Sequence, residues 1–226
     1  QIEEVESPDG YLLNHEPLQF TITKGWHQQT GPDDESLVTT VVMKDAPVKG
    51  QVKIDKQAEL FKGYESTPTE YGDLYTPKYE TGLLPNVTFE IKAKTNIIGA
   101  DGKIWYKAGQ QVTTMTTDGV NITASPLLPI GTEGNNLYTL QEIETEDGYV
   151  LDDTIYTFRF DYVDQDTAVV SPTYLDENGN EMEIDETITL ENDKQKALAM
   201  SSKTMETSIF EDNANAMKNV VFGFYS

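Results

Sequence analysis

The sequence predicts an all-β fold, an antiparallel β-sandwich, from its periodicity, its turns and its lack of helical pattern. Short runs alternate apolar and polar residues, as strands with one buried face do; they are 51–56, 138–142, 155–160 and 187–192. Asp-Gly or Asn-Gly pairs, which tolerate the positive φ of hairpin turns, lie between such runs and begin at Asp101, Asp118, Asp147 and Asn178. Only 209–218 resembles a helix, and it lacks caps.

The charge of the chain excludes two classes of partner. Its 16 Lys and Arg residues stand against 39 Asp and Glu residues, a formal charge of −23 at pH 7. Nucleic-acid binding through a basic face is excluded, and docking on anionic lipid is disfavoured. The chain contains no run of about 18 apolar residues, the length needed to span a bilayer, so we expect no membrane insertion within this chain.

The side chains that hold metals or act as thiol nucleophiles are scarce. The chain has no cysteine and only two histidines, His15 and His27, with no further ligands at metal spacing. The segment 176–187 resembles a calcium loop, but its glycine is misplaced and Thr187 stands where glutamate is required. We therefore predict no metal and no cofactor.

An internal repeat indicates that the chain is a window on a longer array. The run from Glu4 to Tyr11 returns 138 residues later as the run from Glu142 to Tyr149. The repeats predict three parts: the C-terminal half of a preceding module (1–46), a complete module (47–192) and the N-terminal part of a following module (193–226).

Three polar residues of the complete module fall on the buried phase of their strands, because side chains two apart share a face. They are Lys56, in phase with Val52 and Ile54; Glu142, in phase with Tyr138 and Leu140; and Asn192, in phase with Ile188 and Leu190. Ionisable residues are rarely buried without partners, so we expect these three side chains to meet.

These residues and their surroundings resemble a known family. The runs 50–56, 138–149 and 190–192 are similar to the first-strand lysine, the E-box and the last-strand asparagine of the B-type repeats of Gram-positive collagen adhesins and pilins, the SpaA-like isopeptide-forming family. The resemblance implies a Greek-key sandwich of prealbumin- or immunoglobulin-like type. It also implies a spontaneous isopeptide bond, with Lys56 as nucleophile, Asn192 as electrophile and Glu142 as proton shuttle.

Burial is compatible with that chemistry, because an apolar interior favours the neutral forms of an amine and of a carboxylic acid. The amine can then attack the amide while the acid hydrogen-bonds the carbonyl and passes protons to the departing ammonia. Such an event happens once, so it does not make the protein an enzyme with turnover. The alternative is a buried ion pair of Lys56 and Glu142, capped by Asn192 and without a covalent bond.

The partial modules carry fragments of the same set. Glu4 matches the E-box glutamate, and Asp45 takes the asparagine position, where the bond would form with loss of water. Their lysine is expected before residue 1. Lys203 takes the first-strand lysine position of the last module, although its in-phase neighbours are weakly apolar, and its partners are expected beyond residue 226.

The function that the resemblance implies is structural: a stalk or pilin-like shaft segment on the cell-wall-anchored, extracellular surface of a Gram-positive bacterium, with neighbouring modules as partners and the anchor and signal outside this chain. An alternative is an adhesin module that binds a host matrix protein or glycan through a tyrosine-rich insertion, containing Tyr64, Tyr71, Tyr75 and Tyr79. Packing of that insertion against the sandwich is the competing explanation for the tyrosines. Nothing specific supports a hydrolase with paired carboxylates.

Overall fold

The computed structural model describes residues 1–20, 42–70 and 72–195, and in these ranges the regular structure consists of strands alone. Gln1–Gln195 forms one compact unit. The strands, numbered in chain order, are β1 Lys49–Gly50, β2 Lys53–Thr69, β3 Gly72–Leu83, β4 Pro85–Ala93, β5 Ile97–Ile98, β6 Ile104–Tyr106, β7 Gln111–Asp118, β8 Thr123–Ala124, β9 Leu128–Pro129, β10 Leu137–Glu144, β11 Ile155–Phe160, β12 Val169–Val170, β13 Pro172–Leu175 and β14 Thr187–Asn192. The predicted all-β fold is confirmed.

Two sheets enclose the core. The larger is antiparallel and five-stranded, in the order β13-β11-β10-β4-β7, and the second has the order β14-β2-β3, with β8 paired to β2. Their inward side chains form a single apolar cluster, in which the rings of Tyr138 and Phe158 stack with centroids 5.4 Å apart. Small pairings, β12-β1-β9 and β5-β6, complete the described sheets.

The predicted turns occur where the sequence places them. The glycines of the four Asp-Gly and Asn-Gly pairs named above have positive φ, between 71° and 84°; they are Gly102, Gly119, Gly148 and Gly179. A residue with a Cβ atom is disfavoured in this conformation, which explains the choice of glycine.

The first long strand and the last strand of the sandwich are neighbours. β14 pairs with β2 in parallel, with Lys56 opposite Leu190 and Ala58 opposite Asn192. Parallel pairing requires a long crossover connection, which the whole of the intervening sandwich supplies here. One parallel pair therefore joins the beginning and the end of an otherwise mainly antiparallel structure.

The tyrosine-rich insertion forms a hairpin, and the competing explanation, that it packs against the sandwich, is wrong for Tyr64 and Tyr75. β2 and β3 continue as an antiparallel hairpin to Thr69 and Gly72. Tyr64 and Tyr75 remain 65% and 58% exposed, and their rings meet edge to face instead of packing on the core. Tyr71 lies outside the described residues.

Candidate functional site

The structure brings Lys56, Glu142 and Asn192 together in the core. Lys56 lies on β2 and Asn192 on β14 of the same sheet, whereas Glu142 lies on β10 of the opposite sheet. The three residues are 1%, 3% and 4% exposed. Strand alternation aims each of them inward, and sandwich packing places the two sheets face to face, so the cluster bridges both layers.

The three side chains form a closed set of contacts. Lys56 Nζ donates to Asn192 Oδ1 at 2.5 Å and lies 2.9 Å from Glu142 Oε2. Asn192 Nδ2 donates to Glu142 Oε1 at 2.6 Å. The nitrogen that would attack, the amide that would be attacked and the carboxyl that would move protons are thus in mutual contact.

The two oxygens of Glu142 have different surroundings. Oε1 accepts the bond from Asn192, whereas Oε2 lies 2.9 Å from Lys56 Nζ in an ion pair and accepts no other hydrogen bond. The ring of Phe89 closes another side of the cluster, with Nζ 5.8 Å from its centroid. A buried carboxyl oxygen with unused acceptor capacity beside an amine is a place where a proton from that amine can reside.

Thr145 also belongs to the cluster, and the sequence argument did not identify it. Asn192 Nδ2 makes its second hydrogen bond to Thr145 Oγ1, at 2.7 Å. Strict alternation would place Thr145 on the opposite face from Glu142. A bulge intervenes, since Glu142 pairs with Phe89 while Glu144 pairs with the adjacent Thr88, and the extra residue returns position 145 to the core face.

Glu4 and Asp45 also lie together, half-buried near the beginning of the chain. Partial burial and then the nearby Glu4 carboxyl, through its charge and a side-chain hydrogen bond, raise the pKa of Asp45. Glu4 Oε2 additionally accepts the backbone N–H of Asn14 at 2.7 Å. The pair is less buried than Glu142 and Asn192, but it joins the equivalent positions of the repeat.

The surrounding backbone repeats the same pattern of hydrogen bonds. Around the first pair, Leu12 N–H donates to Ala46 and Val48 N–H to Gly10; around the second, Val150 N–H donates to Asp193 and Gln195 N–H to Gly148. Isolated bridges join Tyr11 to Pro47 and Tyr149 to Lys194, in each case two residues after the candidate electrophile. Asp45 and Asn192 therefore occupy corresponding places.

The other features considered in the sequence lie apart from this cluster or outside the described residues. Lys203 lies outside the described residues. Within the described ranges, no group of three or more His, Cys, Asp or Glu side chains could hold a metal ion, and no helix has the length and apolar character needed to cross a membrane. A cleft of about 830 Å³ near Trp105 and Arg159 is lined by neither Lys56, Glu142 nor Asn192.

Comparison with known families confirms the resemblance at the level of the domain. Residues 75–173, less than half of the chain, match the SpaA family, described as a prealbumin-like fold domain. This central region is therefore similar to SpaA domains of prealbumin-like fold. The matched range includes Glu142 but ends before Asn192 and begins after Lys56, so the roles of the three residues remain predictions.

Two solved structures are similar to this chain at low identity and with low TM-scores. The Bacillus anthracis TIE protein is 18% identical, with a TM-score of 0.41 over 85% of this chain and 24% of that one. GBS52, the minor pilin of the Gram-positive pathogen Streptococcus agalactiae, is 18% identical, with a TM-score of 0.35 over 70% of this chain and 51% of that one. The present chain thus spans about a quarter and a half of these two proteins. No curated protein matches it.

Proposed function

We propose that this chain is a structural stalk or shaft segment of a cell-wall-anchored Gram-positive surface protein or pilin, stabilised by an autocatalytic isopeptide bond between Lys56 and Asn192. The observation that carries the proposal is the buried contact of 2.5 Å between Lys56 Nζ and Asn192 Oδ1. The match of residues 75–173 to the SpaA prealbumin-like domain supports the structural class.

The covalent step balances without any co-reactant. A proton passes from the Lys56 ammonium to Glu142, and the free amine attacks Cγ of Asn192, whose oxygen accumulates negative charge. The bond from Cγ to Nδ2 then breaks, while Glu142 relays a proton from the attacking nitrogen to the leaving nitrogen. Amine and primary amide become a secondary amide and one ammonia, in a reaction that occurs once per molecule.

The position of the bond suits a load-bearing segment. β2 and β14 are adjacent and parallel, so tension applied to the chain before β2 and after β14 shears their hydrogen-bond ladder. A covalent link between the two strands carries that load directly. It also closes a loop of 136 residues, which by the chain-entropy formula used for disulfides stabilises the fold by about 5 kcal/mol.

The repeated pattern around Glu4 and Asp45 supports the further proposal of tandem modules, with parts at 1–46, 47–192 and 193–226. The same hydrogen bonds join the E-box turn to the residues that follow the candidate electrophile at both places. Neighbouring modules of the same array are then the natural partners, and the charge of −23 keeps separate molecules apart in solution.

Intact mass under denaturing conditions tests the function directly. We expect the folded full chain to be lighter than its sequence mass by one ammonia, with the loss mapped by peptide sequencing to a branched peptide joining Lys56 to Asn192. A Lys56→Arg variant serves as the matched control, because it retains the charge but presents a poor nucleophile. An unmodified mass in fully folded wild-type protein would refute the bond and leave the buried ion pair.

A second candidate function is binding through the outer part of the β2–β3 hairpin. Phe61 contacts Tyr79 and Tyr64 contacts Tyr75, and the bulge between Phe61 and Gly63 keeps these rings on one face. Tyrosine-rich exposed surfaces are typical of protein contacts. On the same part of the hairpin Glu65, Glu70, Asp73 and Glu80 outnumber Lys62 and Lys78, although Lys78 Nζ pairs with Glu65 at 3.3 Å. Because the net charge is negative, we propose a basic protein surface as its partner.

The hairpin can be tested separately from the bond. Immobilised basic matrix proteins, acidic matrix proteins and a glycan array would be probed with the full chain and with a Tyr64→Ser/Tyr75→Ser variant. We expect binding to basic proteins that the variant loses at least tenfold while its mass and folding are unchanged. Binding to glycans alone, or equal binding by the variant, would contradict this partner.

A further inference from the structure

The hydroxyl of Thr145 has no role in the three-residue scheme, yet it makes a short hydrogen bond to the group that would react. Asn192 Nδ2 has two hydrogens, and it donates to Glu142 Oε1 at 2.6 Å and to Thr145 Oγ1 at 2.7 Å. Both N–H groups of the amide are therefore occupied, and Oδ1 is left facing Lys56 Nζ.

We propose that Thr145 is a positioning residue for isopeptide formation, an inference that rests on the function proposed above. With its nitrogen held by two acceptors, the amide cannot turn over without placing its NH₂ group against the Lys56 amine, where two donors would face each other. Thr145 thereby keeps the carbonyl toward the nucleophile and the leaving nitrogen beside Glu142, the group that supplies its proton.

The location of Thr145 fits this role. Lys56, Glu142 and Asn192 are buried, whereas Thr145 is half-buried and thus links the cluster to the surface. The leaving nitrogen therefore lies against the half-buried Thr145, and we expect ammonia to depart past this residue. The bulge after Glu142 is what brings the hydroxyl to this side, since Glu144 pairs out of phase with Glu142.

The repeat supplies a parallel observation. Ser7 is the counterpart of Thr145, and it is buried at 8% exposure with its hydroxyl donating to the Tyr11 carbonyl. A hydroxyl therefore stands three residues after the E-box glutamate at both places, but only Thr145 contacts the electrophile. This difference confines the proposal to the complete module.

The test follows bond formation over time in the full chain. Protein is made by cell-free translation, synthesis is stopped, samples are quenched in denaturant at intervals, and intact mass gives the bonded fraction. The variants are Thr145→Val, which keeps the shape and removes the hydroxyl; Thr145→Ser, which keeps the hydroxyl; and Thr139→Val, a matched control on β10 away from the cluster. Protease resistance of parallel samples gives the folded fraction, to which each rate is normalised.

We expect Thr145→Val to form the bond about threefold to tenfold more slowly than wild type, the effect of one lost hydrogen bond in the transition state. Thr145→Ser and Thr139→Val should remain within about twofold of wild type. Equal rates in Thr145→Val and wild type would overturn the inference, as would equal slowing by Val and Ser. If Thr145→Val does not fold, Thr145→Ala answers the same question. A wild type that never loses ammonia would instead refute the proposed bond itself.

Discussion

Lys56 and Glu142 are ionisable side chains in the apolar interior of a sandwich, an arrangement that is unfavourable for either residue alone. Their side chains are 1% and 2% exposed and lie 2.9 Å apart, so each stabilises the other against the cost of leaving water. An ion pair of this kind adds little stability compared with apolar residues of the same volume. The proposed isopeptide chemistry, which needs an amine, a carboxyl and an amide in contact, would account for its presence.

Replacement of Glu142 should separate the chemical role of the pair from its structural role. We expect Glu142→Gln to fold, because glutamine keeps the shape and polarity of the site, but to retain the full sequence mass. Glu142→Ala should also remain unbonded. Its free energy of unfolding should be about 3–5 kcal/mol lower than that of the same fold without the isopeptide bond, because the Lys56 charge is left buried without its partner. Intact mass and urea unfolding measure the two effects.

A double replacement provides the control for that interpretation. Lys56→Met/Glu142→Leu removes both charges, so it should be unbonded and yet more stable than Glu142→Ala. If the double variant were the less stable of the two, the loss in Glu142→Ala could not be assigned to an uncompensated charge.

Asp118 offers a prediction about pH. Its carboxylate accepts backbone N–H groups from Asn121 and Val120, both at 2.8 Å. These bonds, led by the one from Asn121, lower the pKa of Asp118 from 3.8 to about 2. Since the folded state favours the ionised form, the stabilisation is present above about pH 4 and is lost as the pH falls toward 2.

The measurement compares wild type with Asp118→Asn, which has a similar shape but no charge. The stability difference between them, from urea unfolding, should be largest near pH 5 and should shrink steadily below pH 4. A carbon-detected NMR titration of the Asp118 carboxyl should have its midpoint near pH 2. A difference that is constant over this range would contradict the assignment.

At the scale of elements, the short strand β1 depends on one glycine. A Cβ atom added at Gly50 would lie 2.3 Å from the ring of Phe160, which is buried at 1% exposure on the neighbouring sheet. Neither the ring nor the strand can move freely in a packed core.

Gly50→Ala should therefore destabilise the fold by about 1–3 kcal/mol. Gly179→Ala lies in an exposed turn with a φ of 84°, where an added Cβ has space, so any loss there arises from backbone strain alone. Thermal unfolding should be measured for Gly50→Ala and Gly179→Ala, each with and without Phe160→Leu. The smaller side chain at 160 should restore part of the stability lost in Gly50→Ala and none of that lost in Gly179→Ala. Equal effects of Phe160→Leu on both variants would argue against the close approach.

The strands that were predictable from sequence are those with one buried face. β11 and β14 have the predicted bounds, because alternation of side chains with a buried core face leaves a clear period of two. The same alternation predicted that the side chains of Lys56, Glu142 and Asn192 face the core. The outer hairpin of β2 and β3 was expected only as an insertion without assigned strands, because both of its faces meet solvent and nothing forces alternation there. Thr145 was missed because a bulge resets the phase without a signature in the sequence.

At the scale of the whole molecule, the proposed bond should limit how far the chain can be stretched. Lys56 and Asn192 are 136 residues apart, a length that spans roughly 450–490 Å when extended. In single-molecule force spectroscopy, wild type should show no unfolding event that releases this segment, whereas Glu142→Gln should release it at moderate force. Release of the full length by wild type would mean that the two strands are held by hydrogen bonds alone.

The parallel pairing of β2 with β14 also has a consequence for timing. β2 is synthesised before its partner β14, which follows more than a hundred residues later. The Lys56 amine can therefore meet the Asn192 amide only when the sandwich is nearly complete. A chain in that waiting state contains no branch and can still pass lengthwise through a narrow channel. Once the two strands meet, the proposed cross-link would make that passage impossible in either direction. The same parallel register that would resist pulling thus allows the proposed bond to form only after the sandwich has folded, and the bond would then prevent the chain from being extended again.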